Sequence, residues 1–221
     1  RDHTEAEEFI IKIYRLLSPL PKKTMLDLAC GKGRHSIQLN KMGAFVEGCD
    51  YSENSIQYAK KFENDYLHFY THDMRNKLPK SYDYIFNLFT SFGYFDSTKE
   101  NEKVIQSVHQ TLKQKGIFIL DFMNTQRIID SLVASETKEV DGIKFEISRH
   151  YDGNHILKTI AFEDEGKAHK YTERVQALFL DHFKHLLQSN GFIILSTFGD
   201  FELNAFDPKT SNRLILIAKK Y

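Results

Sequence analysis

The chain has 221 residues, enough to bury one sizeable core without disulfide or metal staples. Its 30 basic and 30 acidic residues cancel, which leaves no overall field to hold nucleic acid or an anionic membrane. No apolar run approaches the roughly 18 residues of a membrane span, the start shows no signal-peptide pattern, and Cys30 and Cys49 lack C-x-x-C spacing. They read as reduced buried thiols, and the expected setting is cytoplasmic. The chain starts at Arg1 and not at Met, which leaves room for an upstream segment.

Thr4-Glu5-Ala6-Glu7 has the spacing of a capping box, and Phe9, Ile13, Leu16 and Leu17 follow at helical period until Pro19 and Pro21. A helix is expected there. Next come a strand from Thr24, a helix from about Arg34 to Met42 ended by Gly43, and a strand over 45–50. Ser52 then caps a helix anchored by Ile56, Ala59 and Phe62. Strands over 67–72 and 82–87, a helix through Val104, Ile105, Val108 and Leu112, and a strand over 116–121 continue the alternation. Repeated strand-helix alternation predicts an α/β fold with a doubly wound, mainly parallel sheet.

From Glu136 to Gln176 the rhythm changes to short alternating strands divided by Asp141-Gly142, Asp152-Gly153-Asn154 and Glu165-Gly166. Such dipeptides make hairpin turns, so an antiparallel β meander is inserted in one domain spanning 1–221. A helix carrying Phe179, Phe183, Leu186 and Leu187 follows, then strands over 192–198 and 214–218 that suggest a closing antiparallel hairpin.

The most informative stretch is 24–36, an apolar strand that runs through Gly31 and Gly33 into a helix. Glycine at a strand end lets the backbone approach a ligand that a Cβ would hold away, so this reads as a nucleotide-type cofactor loop. Asp27 stands where its carboxylate can fix the loop or meet a cationic ligand group. A dinucleotide fingerprint would place a third small glycine-like residue at position 36, where Ser stands, and a P-loop pattern is absent. Asp50, 19 residues after Gly31 at the end of the second strand, is placed to accept both hydroxyls of a cofactor ribose. Capping of the next helix is its other reading.

The pattern Asp27-x-Ala29-x-Gly31-x-Gly33 resembles the first motif of the class I S-adenosylmethionine-dependent methyltransferases, with Ala29 in place of a glycine. The resemblance extends through Leu26 to Ser36, Gly48-Cys49-Asp50-Tyr51-Ser52, Asn87-x-x-Thr90-Ser91-Phe92-Gly93-Tyr94-Phe95 and Gly191-Phe192, close over 24–123 and looser over the last 45 residues. It implies a Rossmann-like seven-stranded sheet whose last strand is antiparallel, and methyl transfer from S-adenosylmethionine to a small-molecule acceptor, leaving S-adenosylhomocysteine. Asp27, Ala29, Cys30, Gly31, Gly33, Asp50, Tyr51, Asn87 and Leu88 would then surround the cofactor. His72, Asp73 and Met74 would complete the set, with Asp73 accepting from the adenine amine.

For the acceptor, Ser91, Tyr94, Arg149, Tyr171 and Arg174 are the candidates, Arg174 being chosen because a guanidinium binds an anion bidentately. No residue declares itself a general base; Tyr94, His150, His155 and Tyr171 are the candidates. His182 with His185 and His68 with His72 have no further ligands near in sequence, so no metal is expected. The meander is expected to serve as a lid over the acceptor or as a homodimer contact. A non-catalytic module that binds the same cofactor and a nicotinamide-dependent oxidoreductase are the competing readings.

Overall fold

Each strand presents its apolar residues alternately to two faces, and helices with matching apolar stripes cover both. The protein is described by a computed structural model over residues 3–221, with side chains from Glu5 onward. The elements run α1 (His3–Leu17), β1 (Thr24–Leu28), α2 (Arg34–Lys41), β2 (Phe45–Asp50), α3 (Glu53–Ala59), β3 (Leu67–Thr71), β4 (Tyr82–Asn87), α4 (Thr98–Thr111), β5 (Leu112–Met123) and α5 (Thr125–Asp130). The insertion is β6 (Ser135–Val140), β7 (Ile143–Tyr151), β8 (His155–Asp164) and β9 (Lys167–Gln176), followed by α6 (Leu180–Ser189), β10 (Phe192–Phe198) and β11 (Arg213–Lys220).

Seven strands form one sheet in the order β10-β11-β5-β4-β1-β2-β3, with β11 antiparallel to both neighbours, as the resemblance implied. Leu26 and Leu28 of β1, Phe118, Leu120 and Phe122 of β5, and Leu214 and Leu216 of β11 pack beneath α4 and α6. The intervening Met25, Ile119, Ile215 and Ile217 join Ala6, Phe9, Ile10 and Ile13 of α1 and Leu39 of α2 on the opposite face. Strand order reverses between β1 and β4, and such a switch point opens a crevice beyond the carboxyl ends of the strands. The meander forms its own sheet, β6-β7-β8-β9, paired antiparallel throughout. Asp141-Gly142 and Glu165-Gly166 both take positive φ in its turns, the conformation such dipeptides were read for.

Local expectations needed correction. Leu16 is 51 % exposed and Phe62 42 % exposed, so neither anchors its helix; the buried stripe of α1 is Ala6, Phe9, Ile10 and Ile13, and Phe62 sits in a 3₁₀ turn after α3. The helix expected through Leu112 ends at Thr111, because Leu112 is already extended at the start of β5. The six-residue α5 is too short to show a period and escaped the sequence reading. The capping reading of Thr4 falls on a side chain outside those described.

Candidate active site

The loop after β1 is built on alternate left-handed residues. Ala29 has φ 61° and Gly31 φ 55°, and Gly33, at φ 82°, caps α2. Cys30 N–H donates to the Cys49 carbonyl (3.0 Å), and Gly31 N–H donates to Asp50 Oδ2 (2.8 Å), which ties the loop to the end of β2. Asp50 Oδ1 accepts from Ser52 N–H (2.8 Å), while Ser52 itself caps α3 by accepting from Ser55 N–H (3.3 Å). Ser52 and not Asp50 is therefore the cap of α3, and Asp50 fixes the loop and the start of that turn through backbone N–H groups. A carboxylate has about four acceptor sites, and two are spent on backbone, so two remain.

Asp27 is 1 % exposed and accepts from Ser36 Oγ at 2.7 Å, so it fixes β1 to α2 from behind the loop and does not line the cavity in front of it. Burial pushes its carboxyl up to about 6, against the pull of Ser36. Because the folded value lies above the ordinary 3.8, Asp27 favours the fold at low pH and loses that contribution as pH rises through about 6, on the order of 3 kcal/mol in all. Asp27→Asn keeps an acceptor for Ser36 and is expected to gain stability relative to wild type between about pH 4 and about pH 7, followed by urea unfolding. Parallel curves for the two proteins would show that the carboxyl does not titrate there.

In front of the loop lies a cavity of about 410 Å³ lined by Ala29, Asp50, Tyr51, His72, Asp73, Met74, Arg75, Ser91, Tyr94, Phe95, Asp96 and Glu100. Residues from the ends of β1, β2, β3 and β4 thus converge as their spacing predicted. Arg75 was missed. Its guanidinium grips both oxygens of Asp73 (Nε to Oδ1 3.0 Å, Nη2 to Oδ2 2.6 Å), reaches Glu100 (2.6 Å) and lies over the Phe95 ring at 4.7 Å. Those bonds hold the Asp73 carboxyl below its ordinary value.

Other expected residues sit elsewhere. Cys30 is buried, and burial raises its thiol far above the ordinary range. Asn87 and Leu88 are buried, Asn87 donating to the Leu28 carbonyl at 3.0 Å, and neither lines the cavity. Gly33 does not keep a Cβ out of a ligand's way: a Cβ there would lie 2.7 Å from the Phe69 ring, inside the protein. A Cβ on Gly31 would meet nothing within 4 Å, which leaves open space at that point of the loop.

Of the meander residues, Arg149 pairs with Glu136 (2.5 Å), His150 is exposed, and Tyr171 is 57 % exposed and stacked with His169 and Phe162. Arg174 is engaged by Asp96 (2.6 Å) and by His155 Nδ1 (3.1 Å), so its fork is not presented to the cavity. Tyr94 is the one base candidate that lines the cavity; His155 lines a second cleft beside it, sharing Asp96.

Phe89 (φ 58°) and Thr90 (φ 61°), at the end of β4, are two consecutive left-handed residues without glycine. Asp121 holds them: its Oδ2 accepts from Phe89 N–H (2.8 Å), its carbonyl from Thr90 N–H (3.0 Å), and its Oδ1 from Arg213 Nε (2.8 Å). Arg213 also donates to Thr90 Oγ1 (3.0 Å). Backbone strain of this kind persists where surroundings over-determine it, and it concentrates at functional sites.

Residues 20–175 match the family model described as a methyltransferase domain. The glycine/sarcosine N-methyltransferase of Aphanothece halophytica is 27% identical over 237 residues, covering 100% of this chain and 83% of the relative. The dTDP-3-amino-3,4,6-trideoxy-alpha-D-glucopyranose N,N-dimethyltransferase of Streptomyces venezuelae is 24% identical over 188 residues, covering 82% of this chain and 78% of the relative. Among solved structures, an S-adenosylmethionine-dependent methyltransferase from Clostridium acetobutylicum superposes with a TM-score of 0.86 at 20% identity, covering 100% of this chain and 92% of that one.

Proposed function

The chain belongs to the methyltransferase-domain family and is an S-adenosylmethionine-dependent methyltransferase acting on a small molecule, and we propose that the atom it methylates is an amine nitrogen. One observation carries the proposal. Of the carboxylates lining the cavity, Asp73 and Glu100 share Arg75 and Asp96 is paired with Arg174, while Asp50 bonds, among the described residues, to backbone N–H groups and has no cationic partner. Low-dielectric walls of one sign draw in the opposite charge, here a sulfonium and an amine. Both relatives named above carry N-methyltransferase names, which agrees.

The residues present fit the cofactor. The open space at Gly31 accepts a ligand against the backbone, Asp50 keeps acceptor sites for two ribose hydroxyls, and Tyr51, 75 % exposed, offers a ring face to a base. Asp73, already aligned by Arg75, would accept from the adenine amine beside Met74. The bound cofactor supplies an electrophilic methyl whose transfer discharges the sulfonium.

The rest falls to the chain. Ser91, Tyr94 and Phe95 form the wall at which an acceptor is aligned, and alignment alone supplies about 7 to 11 kcal/mol of the barrier reduction. The amine drawn in as an ammonium gives up one proton to water and then attacks with the freed lone pair as the methyl–sulfur bond breaks, so no side-chain base is asked of Tyr94, His150, His155 or Tyr171. The meander, whose β9 contacts the cavity wall through Gln176, covers the acceptor side in this reading. A matched pair of acceptors differing only in an amine or a hydroxyl at the reacting position tests it. Methylated product is expected from the amine alone; equal turnover of the alcohol would contradict an amine-specific site.

A further inference from the structure

A cleft of about 1070 Å³ lies beside the cofactor cavity, between the first turns of α4 and α6 and the turn joining β7 to β8. Two residues that line it, Asn101 (1 % exposed) and His155 (9 % exposed), each hold one buried polar atom without a partner among the described residues, Oδ1 and Nε2. Their chemical identities follow from their neighbours. The Phe95 carbonyl accepts from Gln176 Nε2 (2.9 Å), which turns Gln176 Oε1 to Asn101 Nδ2 (2.7 Å) and leaves Asn101 Oδ1, an acceptor, unmatched. Arg174, which can only donate, takes His155 Nδ1 (3.1 Å), while Asp152 Oδ2 lies 3.6 Å from that nitrogen, beyond hydrogen-bond range. Nε2 therefore carries the proton and is an unmatched donor.

We propose that this cleft binds the hydroxyl-bearing part of the methyl acceptor, an amine of sugar size with His155 and Asn101 reading its hydroxyls; the proposal rests on the methyltransferase reading above. A hydroxyl is the group that accepts from Nε2–H and donates to Oδ1. A carboxylate, which has no proton to donate, would leave Oδ1 unmatched. An ammonium would leave Nε2–H unmatched. The cleft reaches the size of pockets that enclose drug-sized ligands, about 300 to 1,000 Å³, well beyond what glycine fills.

Calorimetry of 3-amino-3-deoxy-D-glucose onto the full chain tests the cleft without cofactor, and titration of S-adenosylhomocysteine tests the underlying reading separately. His155→Asn keeps an acceptor for Arg174 but lacks a donor at the Nε2 position, whereas His155→Gln reaches that position with an amide N–H. Expected are saturable binding of the amino sugar, an approximately tenfold loss in His155→Asn and recovery to within about threefold in His155→Gln, with S-adenosylhomocysteine affinity unchanged in both. In turnover the loss appears in the Michaelis constant of the amino sugar and not in kcat, and cyclohexylamine, which has no hydroxyls, is the poorer acceptor of the wild-type enzyme. No saturable binding of the amino sugar, equal use of cyclohexylamine, or an unaffected His155→Asn overturns the proposal. Amino-sugar binding without S-adenosylhomocysteine binding would instead remove the methyltransferase reading.

Discussion

Asp121→Ala is expected to lower stability by about 3 to 5 kcal/mol, the loss typical of removing one partner from a buried ion pair. Asp121 is fully buried and the Arg213 side chain is 16 % exposed, so the guanidinium would be left without its carboxylate in a place water barely reaches. The same substitution strips Phe89 N–H of its acceptor. Left-handed backbone costs an ordinary residue roughly 1 to 2 kcal/mol, and here two such residues adjoin, so Phe89 would lose the bond that holds its strained backbone while Thr90 kept those to the residue 121 carbonyl and to Arg213. Urea unfolding should show a lower midpoint at unchanged slope. Arg213→Lys, which keeps charge but loses the fork between Asp121 and Thr90, should fall between the two proteins. A loss below about 1 kcal/mol in Asp121→Ala would mean that packing alone holds the turn.

Gly33→Val should destabilise the cofactor-free protein by roughly 2 to 5 kcal/mol, combining a left-handed β-branched residue with overpacking. Its Cβ would stand 2.7 Å from two atoms of the Phe69 ring and 3.2 Å from Ala59 Cβ, and Phe69 is itself only 3 % exposed, so the ring has little room to move. Gly31→Ala is the contrasting case. Nothing lies within 4 Å of its Cβ, so the expected stability loss is about 1 kcal/mol, from the backbone alone. Its effect should appear instead as S-adenosylhomocysteine affinity reduced at least tenfold, because the methyl group enters the ligand's space. Thermal melts without cofactor separate the two roles: a Gly33→Val melt equal to that of Gly31→Ala would return Gly33 to the ligand side of the loop.

What was legible in the chain was what is local in it. The cofactor end could be read because Ala29, Gly31, Asp50 and the 72–74 segment each sit at a strand end, where period-2 alternation gives way to a turn. The error at Gly33 has a physical origin: spacing reveals that a side chain is unwelcome but not whether a ligand or Phe69 excludes it. Arg75 escaped notice because its meaning depends on Glu100 and Phe95, brought beside it only by the crossover into α4. Asp121 and Arg213 are 92 positions apart, and Asn101 and Gln176 are 75 apart. No periodicity or motif relates such pairs; the register of β5 against β11 and the return of β9 to the body do so. Arg174 was chosen for an anion because it is Arg, yet Asp96 and His155 already take its donors.

The most direct test of the central claim is calorimetric titration of S-adenosylhomocysteine onto the wild-type chain and Asp50→Ala. Asp50 holds the loop through Gly31 N–H and keeps two acceptor sites at the cavity, so wild type should bind one equivalent saturably and Asp50→Ala at least tenfold more weakly. No saturable binding by the wild-type protein, or an unchanged dissociation constant in Asp50→Ala, would contradict the account.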